Sequence, residues 1–147
     1  MARKRAWTLI HSENVTPLKM GGYESRQLTG NEIAGFPVIN VNEGALAPGC
    51  RTEGGSHNDT ELYYILSGSG DVWIGEDRIP AKLGDVLVIP PNAVHWIDNT
   101  RGEAPFVLLT LWPKQEQNGV YHARMEAWGT SYIPVDPAYT EKRLGEA

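Results

Sequence analysis

Two stretches of this chain carry most of its structural information: GCRTEGGSHNDTELYYILSG, residues 49–68, and GDVLVIPPNAVHWIDN, residues 84–99. In both, histidine or glutamate stands at fixed distances from glycine and proline. His57 and Glu61 are four residues apart, so they point the same way in an extended segment, where side chains alternate between faces. A second strand would bring His95 alongside them. Since imidazole and carboxylate suit a first-row divalent ion, these three side chains are predicted to bind a metal.

The rest of the sequence predicts strands without relying on this pattern. Short runs rich in β-branched and aromatic residues are bounded by Gly, Pro, Asn or Asp, which is typical of strands and turns. No long stretch before Asn118 shows helical periodicity. Many short, evenly spaced strands indicate an all-β sandwich or small barrel. The predicted strands are 36–41, 62–66, 71–74, 85–89, 94–97 and 106–112.

Both stretches resemble the two conserved motifs of the cupin superfamily, G-x5-H-x-H-x3,4-E-x6-G and G-x5-P-x-G-x2-H-x3-N. With the spacer between the motifs, the resemblance covers residues 49–99, about a third of the chain. Two long, gapped patterns in the right order are a specific signal. The resemblance implies a double-stranded β-helix, or jelly-roll barrel, and it makes His57, Glu61 and His95 the metal ligands.

The chain departs from the family pattern at two positions. Asn92 replaces a turn glycine, which is benign because Asn tolerates left-handed backbone conformations. Gly55 stands where the first histidine of the family motif would be. That change leaves an additional open coordination position, a substitute ligand, or no metal at all. The candidates for a substitute ligand are Glu53, one pleat away, and His122, in the C-terminal segment.

Strand parity predicts the lining of the pocket around the metal. If the strand through His57 is regular, Arg51 and Glu53 share its inward face. Glu53 is then a candidate catalytic acid or base, and Arg51 a partner for a substrate carboxylate or enolate. Alternatively, the two form an exposed ion pair that contributes about 0–1 kcal/mol. The same parity argument gives the predicted substrate-binding residues as Arg51, Tyr63, Ile97 and Asn99.

Length and composition limit the other possibilities. A chain of 147 residues is expected to form one cupin domain, residues 1–147. The single cysteine excludes an intrachain disulfide and fits a reducing compartment, so we expect a cytoplasmic protein. The longest apolar stretch, 106–112, is far below the roughly 20 residues that span a bilayer. A net charge of −5 disfavours a nucleic-acid surface.

The two flanks point to self-association. The N-terminal arm, residues 1–31, is expected to add an edge strand, and in many cupins such an arm crosses to a partner. The C-terminal segment, 119–139, carries many large apolar groups, which are expected to pack on the barrel or on a second subunit. We therefore predict a homodimer, since open sheet edges are otherwise a liability.

Three functions are compatible with these features. The first is a metalloenzyme acting on a small organic molecule, in the sharper version an Fe(II) dioxygenase or other oxygenase of an enolic, phenolic or hydroxy-acid substrate. The second is a non-redox cyclase, isomerase or decarboxylase, similar to polyketide cyclases, in which the ion polarises a carbonyl. Mn, Ni, Co and Zn are possible in place of Fe. The third is a non-catalytic cupin that binds a ligand, which the missing histidine supports.

Overall fold

The computed structural model describes residues 10–29 and 39–113. Within these two ranges the chain is all β, with one short 3-10 turn at Ser12–Asn14 and no helix long and apolar enough to cross a membrane. The strands of the described ranges are β1 (Leu18–Met20), β2 (Tyr23–Thr29), β3 (Asn40–Leu46), β4 (Glu61–Ser67), β5 (Ser69–Ile74), β6 (Asp77–Lys82), β7 (Val86–Ile89), β8 (His95–Asp98) and β9 (Phe106–Trp112).

The strands form two antiparallel sheets. The larger sheet has the order β1-β2-β3-β9-β4-β7, and the smaller one has the order β6-β5-β8. Neighbours in the sheets are often distant in sequence, as in a Greek-key or jelly-roll arrangement rather than a simple meander. The prediction of an all-β, jelly-roll-type fold is confirmed.

The core lies between the sheets and follows from alternation along each strand. In β3 and β9, buried and partly buried residues alternate, because one face packs inward and the other faces out. The larger sheet contributes Leu46, Phe106 and Leu108 to this core, and the smaller sheet contributes Val72 and Ile97. Burial of these side chains holds the two sheets together without any need for a metal.

Several strands differ from the sequence prediction. The strands over 62–66, 71–74, 85–89, 94–97 and 106–112 are confirmed to within about two residues, but β1, β2 and β6 were not assigned to particular residues. Within residues 10–29 and 39–113, β1 pairs only with β2, so the expected edge strand of the N-terminal arm is present. The predicted strand over 36–41 reaches β3 only at its last two residues. Its first three residues lie outside the described ranges, as do His122 and the segment 119–139.

Candidate metal centre

The three predicted ligands come together at one end of the barrel. Glu61 is the first residue of β4 and His95 the first of β8, while His57 lies in the connection that precedes β4. Their ligand atoms all lie within 4.8 Å of one another. Oε2 of Glu61 is 2.6 Å from Nε2 of His57 and 3.2 Å from Nε2 of His95. Both imidazoles therefore direct the same ring nitrogen at a single carboxylate oxygen.

Backbone carbonyls orient both imidazoles. Nδ1 of His57 lies 2.9 Å from the carbonyl oxygen of Asp59, and Nδ1 of His95 lies 2.8 Å from that of Ala93. Because a carbonyl oxygen only accepts, each Nδ1 carries the hydrogen and donates it, which leaves Nε2 to bind a metal. Outer contacts of this kind fix the tautomer of metal-ligating histidines. The donor set therefore fits a divalent ion.

Without a metal, the same contacts favour a proton between the imidazole and the carboxylate. The hydrogen bond to Glu61 raises the pKa of His57 against the opposing effect of burial. Burial by itself would raise the pKa of Glu61, but the hydrogen bonds from His57 and His95 outweigh it and lower that pKa. A proton and a metal ion thus compete for the same position.

Gly55 faces the side on which the metal would bind. It is paired with His95 across two strands, through hydrogen bonds of 3.2 and 3.0 Å in opposite directions between backbone nitrogen and oxygen. Directly opposed residues in an antiparallel pair point to the same side. A Cβ added at Gly55 would meet no atom of the described part of the chain within 4 Å. The position of the missing histidine is therefore open space next to the three ligands.

Comparison with known proteins agrees with this geometry. A family model for the cupin domain matches residues 43–112, which contain all three ligands. Residues 43–112 of this chain belong to the cupin superfamily. In the solved structures, a protein from Thermotoga maritima described as a predicted oxalate decarboxylase superposes with a TM-score of 0.65 at 24% identity, covering 74% of this chain and 100% of that one.

Two curated proteins match shorter parts of this cupin. An uncharacterised protein of Methanocaldococcus jannaschii is 36% identical over 53 residues, which is 36% of this chain and 42% of that protein. The gentisate 1,2-dioxygenase of a Haloferax species is 32% identical over 65 residues, which is 44% of this chain and 18% of that enzyme. The cupin chain thus spans less than half the length of either curated relative.

The premise of a regular strand through His57 is wrong at Arg51. Arg51 pairs with Asp98, and Gly55 pairs with His95. The two positions are four residues apart on the first segment but their partners are only three residues apart on the second. The extra residue is a β-bulge, which reverses the parity of the residues beyond it. Arg51 therefore shares the outward face of Asp98. Burial raises the pKa of Asp98, but hydrogen bonds from Thr100 and the charge of Arg51 lower it.

The other predicted pocket residues are distributed differently in the structure. Glu53 is exposed within the bulged stretch, and its catalytic role stays a prediction. Tyr63 faces the site, with its ring centroid 6.1 Å from that of His95. Ile97 belongs to the core. Asn99 donates both amide hydrogens to backbone carbonyls, those of Leu46 and Ala104, so its contacts are structural ones.

The sequence reasoning missed a group of buried polar side chains on the inner face of the larger sheet. They lie on β2, β3 and β9, close to the end that carries the ligands. The sequence contains a sign of this group. Polar residues recur at every second position in Asn40-Val41-Asn42, and the hydroxyl of Thr110 interrupts the apolar run of β9. Polar residues of an antiparallel strand usually face solvent, so this pattern alone predicts an outer face. The missed residues are Gln27, Asn40, Asn42 and Thr110.

Proposed function

We propose that this cupin is a metal-dependent enzyme that acts on a small organic molecule, and that its reaction is an oxygenation supported by Fe(II). The observation that carries the proposal is the convergence of two imidazoles and one carboxylate beside the open space at Gly55. Two histidines and one carboxylate with open positions form the ligand set of non-haem Fe(II) oxygenases. His57, Glu61 and His95 would hold an Fe(II) ion, which would supply the chemistry for reaction of a bound substrate with O2.

The curated comparison supports the same chemistry. The matched part of the Haloferax protein, a dioxygenase that acts on gentisate, corresponds to 44% of this chain. We propose a substrate of the same general kind, with two neighbouring oxygens on an enolic, phenolic or hydroxy-acid group. Two oxygens of one molecule would then take the positions that the three protein ligands leave free.

The chain's own residues have three tasks in this proposal. His57, Glu61 and His95 hold the ion, and the carbonyls of Asp59 and Ala93 keep both imidazoles in the tautomer that binds it. His57 must lose its extra proton before the ion binds. Tyr63, next to His95, faces the space that substrate would enter. We assign proton transfer to Glu53, which lies two residues from Gly55.

The same ligands also suit non-redox ions, so a second candidate function is Lewis-acid chemistry with Mn or Zn. The structure from Thermotoga maritima, described as a predicted oxalate decarboxylase, matches over its whole length, but at 24% identity this likeness concerns the fold. Decarboxylation, isomerisation or cyclisation would use the ion to polarise a carbonyl and would consume no O2. Oxygen consumption therefore separates the two candidates.

The test begins with protein purified without oxygen and loaded separately with Fe(II), Mn(II) or Zn(II). We expect O2 consumption with a member of an enol, phenol and hydroxy-acid panel in the Fe(II) form alone. His95→Ala should abolish both metal retention and O2 uptake, whereas His11→Ala, outside the site, should change neither. Turnover without O2 uptake would establish the Lewis-acid candidate. Failure of the parent protein to retain any of the metals would refute the proposal and favour a non-catalytic binding protein.

A further inference from the structure

On the inner face of the larger sheet, residues that are opposite one another on neighbouring strands form a row across the sheet, which we call a level. Tyr63 of β4 is opposite Thr110 of β9, which is opposite Asn42 of β3, which is opposite Gln27 of β2. All four lie on one level, one step deeper than Glu61. The next level down has Ile65 and Leu108 on the same two central strands. Polar side chains therefore occupy the level nearest the metal ligands. At the deeper level β4 and β9 contribute apolar side chains, and β2 contributes the buried Ser25.

Residual exposure shows how far solvent enters this end of the barrel. Glu61 and His95 keep 8% and 9% of their surface exposed, and Tyr63 and Thr110 keep 7% and 6%. Ile65 and Leu108, one level deeper, are at 0%. Exposure therefore falls to zero one level below Tyr63 and Thr110, and Asn42, on the same level as these two, keeps 1%.

Asn42 is held in place but has one unused donor. Its Oδ1 accepts a hydrogen bond of 2.7 Å from Oγ of Ser25, which fixes the amide plane. Its Nδ2 is buried and has no hydrogen-bond partner among the described residues. Buried amide donors without a partner are rare, because their lost hydration is not replaced. Asn99 has the only other unpaired buried side-chain atom in the described residues, and it belongs to a turn outside this level.

The charge of this level limits what the donor can bind. Its side chains are two amides, a hydroxyl and a phenol, and the buried polar residues among those described include no lysine or arginine. A ligand carboxylate placed at this level would be buried without a cationic side chain to pair with, which is costly in free energy. A neutral oxygen would satisfy the amide at no such cost.

We infer that Asn42 and Thr110 form a subsite for a neutral hydroxyl or carbonyl oxygen at the far end of a substrate that chelates the metal. The inference rests on the proposed function, because it assumes that one end of the substrate binds at the His57–Glu61–His95 centre. Tyr63 and Asn42 are two strand spacings apart, about 10 Å. That span suits a compact molecule such as a substituted aromatic ring.

The test uses Zn²⁺-loaded protein, which avoids redox chemistry, and three catechols that differ in the group para to one hydroxyl: a methyl, a hydroxymethyl or a carboxylate. Calorimetry measures the dissociation constant of each. We expect the hydroxymethyl compound to bind about fivefold to tenfold more tightly than the methyl compound, as for one hydrogen bond. The carboxylate compound should bind more weakly than the hydroxymethyl compound.

Variants then locate the effect. Asn42→Leu should remove the preference for hydroxymethyl over methyl, measured as the ratio of the two dissociation constants. Thr110→Val should reduce the preference, and it serves as the test if Asn42→Leu does not fold. Thr52→Val is the matched control, since that hydroxyl already accepts a hydrogen bond of 3.0 Å from the Ile97 nitrogen. We expect the control to keep the full preference.

The outcomes separate the subsite from the proposed function. If the parent binds the methyl and hydroxymethyl compounds equally, or binds the carboxylate compound most tightly, the subsite is refuted while chelation at the metal stands. If Zn²⁺ is bound but no catechol binds, chelation fails and the subsite is refuted with it. A preference that survives in both Asn42→Leu and Thr110→Val also overturns the inference.

Discussion

Glu61 and His57 form the contact on which the chemistry of the site depends most, because a proton or a metal ion can occupy it. The raised pKa of His57 means that this side chain holds its extra proton to higher pH than an ordinary histidine. A metal ion must displace that proton. We expect metal affinity to fall as pH decreases through the raised pKa, by up to about tenfold per pH unit, and to level off above it. Metal titration across this range measures the effect.

The same pair predicts the pH dependence of the metal-free fold. A raised pKa of His57 contributes stability that is complete below its ordinary value of 6.5 and is lost as pH rises through the raised value. A lowered pKa of Glu61 contributes stability above its ordinary value of 4.5 that is lost as pH falls through the lowered value. The stability contributed by the pair is therefore largest between pH 4.5 and pH 6.5. Thermal unfolding with a chelator present should show the full contribution in the parent and a smaller one in His57→Ala, where His95 alone still contacts Glu61; identical profiles would contradict the assignment.

Gly55 gives a second prediction at this scale. The space beyond its Cα is open and lies on the side of His95, so an imidazole placed there can reach the metal. We expect Gly55→His to tighten metal binding and to reduce turnover, because the new ligand occupies a position that substrate or O2 needs. Ser56→His, which adds the same side chain one residue along, should do neither. If Glu53 is instead the substitute ligand, Glu53→Gln should weaken metal binding, and unchanged affinity in both single variants would mean that neither residue faces the metal.

Individual residues of the site differed in how well the sequence could predict them. His57 and Glu61 are four positions apart within one short stretch. Their nearness in sequence and the family motif were enough to place them together, although the chain bends between them and His57 lies outside β4. A bulge lies between Arg51 and Gly55. Because it adds one residue to this side of the pairing, Arg51 points to the outer face and not inward with Gly55. No sequence pattern in this glycine-rich stretch predicts the bulge.

At the scale of elements, two turn glycines show how local geometry limits substitution. Gly68 joins β4 to β5 with φ of 74°, and an added Cβ would lie 2.3 Å from the carbonyl oxygen of Pro105. Gly75 joins β5 to β6 with φ of 60° and open space around it. We expect Gly68→Ala to destabilise the fold by about 2–4 kcal/mol, because both the left-handed backbone and the clash contribute.

Gly75→Ala is the matched control for this prediction. It carries the cost of the left-handed backbone alone, about 1–2 kcal/mol. Chemical denaturation of both variants gives the two free energies of unfolding. Equal losses would show that the chain near Pro105 moves aside at little cost, and the packing argument for this turn would then be wrong.

The strands that the sequence predicted and those it missed differ in physical character. β4 and β9 are rich in β-branched, aromatic and leucine side chains, so composition and alternation both indicated them. β6 was missed because half of its residues are charged and it contains Pro80, a residue that sheets tolerate mainly at edges. Among the described residues, β6 is indeed an edge strand. β2 was missed because its inward residues include Ser25 and Gln27, which reverse the usual pattern of apolar-in and polar-out.

At the scale of the whole molecule, the outer face of the larger sheet carries an apolar surface. Leu62 and Tyr64 of β4 are opposite Val88 and Val86 of β7, and all four are exposed. β7 is also an edge strand, with one side free of sheet partners among the described residues. Contiguous apolar surfaces of this kind mark interaction sites, and a self-complementary sheet face suits a two-fold dimer. We therefore expect the predicted homodimer to form through this face.

Val88→Lys tests that assembly, because the side chain is 62% exposed and a charge there can be solvated only while the face is open to water. We expect the substitution to raise the dimer dissociation constant at least tenfold, about 1.4 kcal/mol, without lowering the thermal stability of the monomer. Sedimentation equilibrium of the full chain measures the constant. Leu83→Lys is the control, since Leu83 is 65% exposed in the turn before β7 and outside the apolar face, and it should leave the dimer intact. A monomeric parent at micromolar concentration, or equal dissociation constants for the two variants, would show that this face does not bind a second copy.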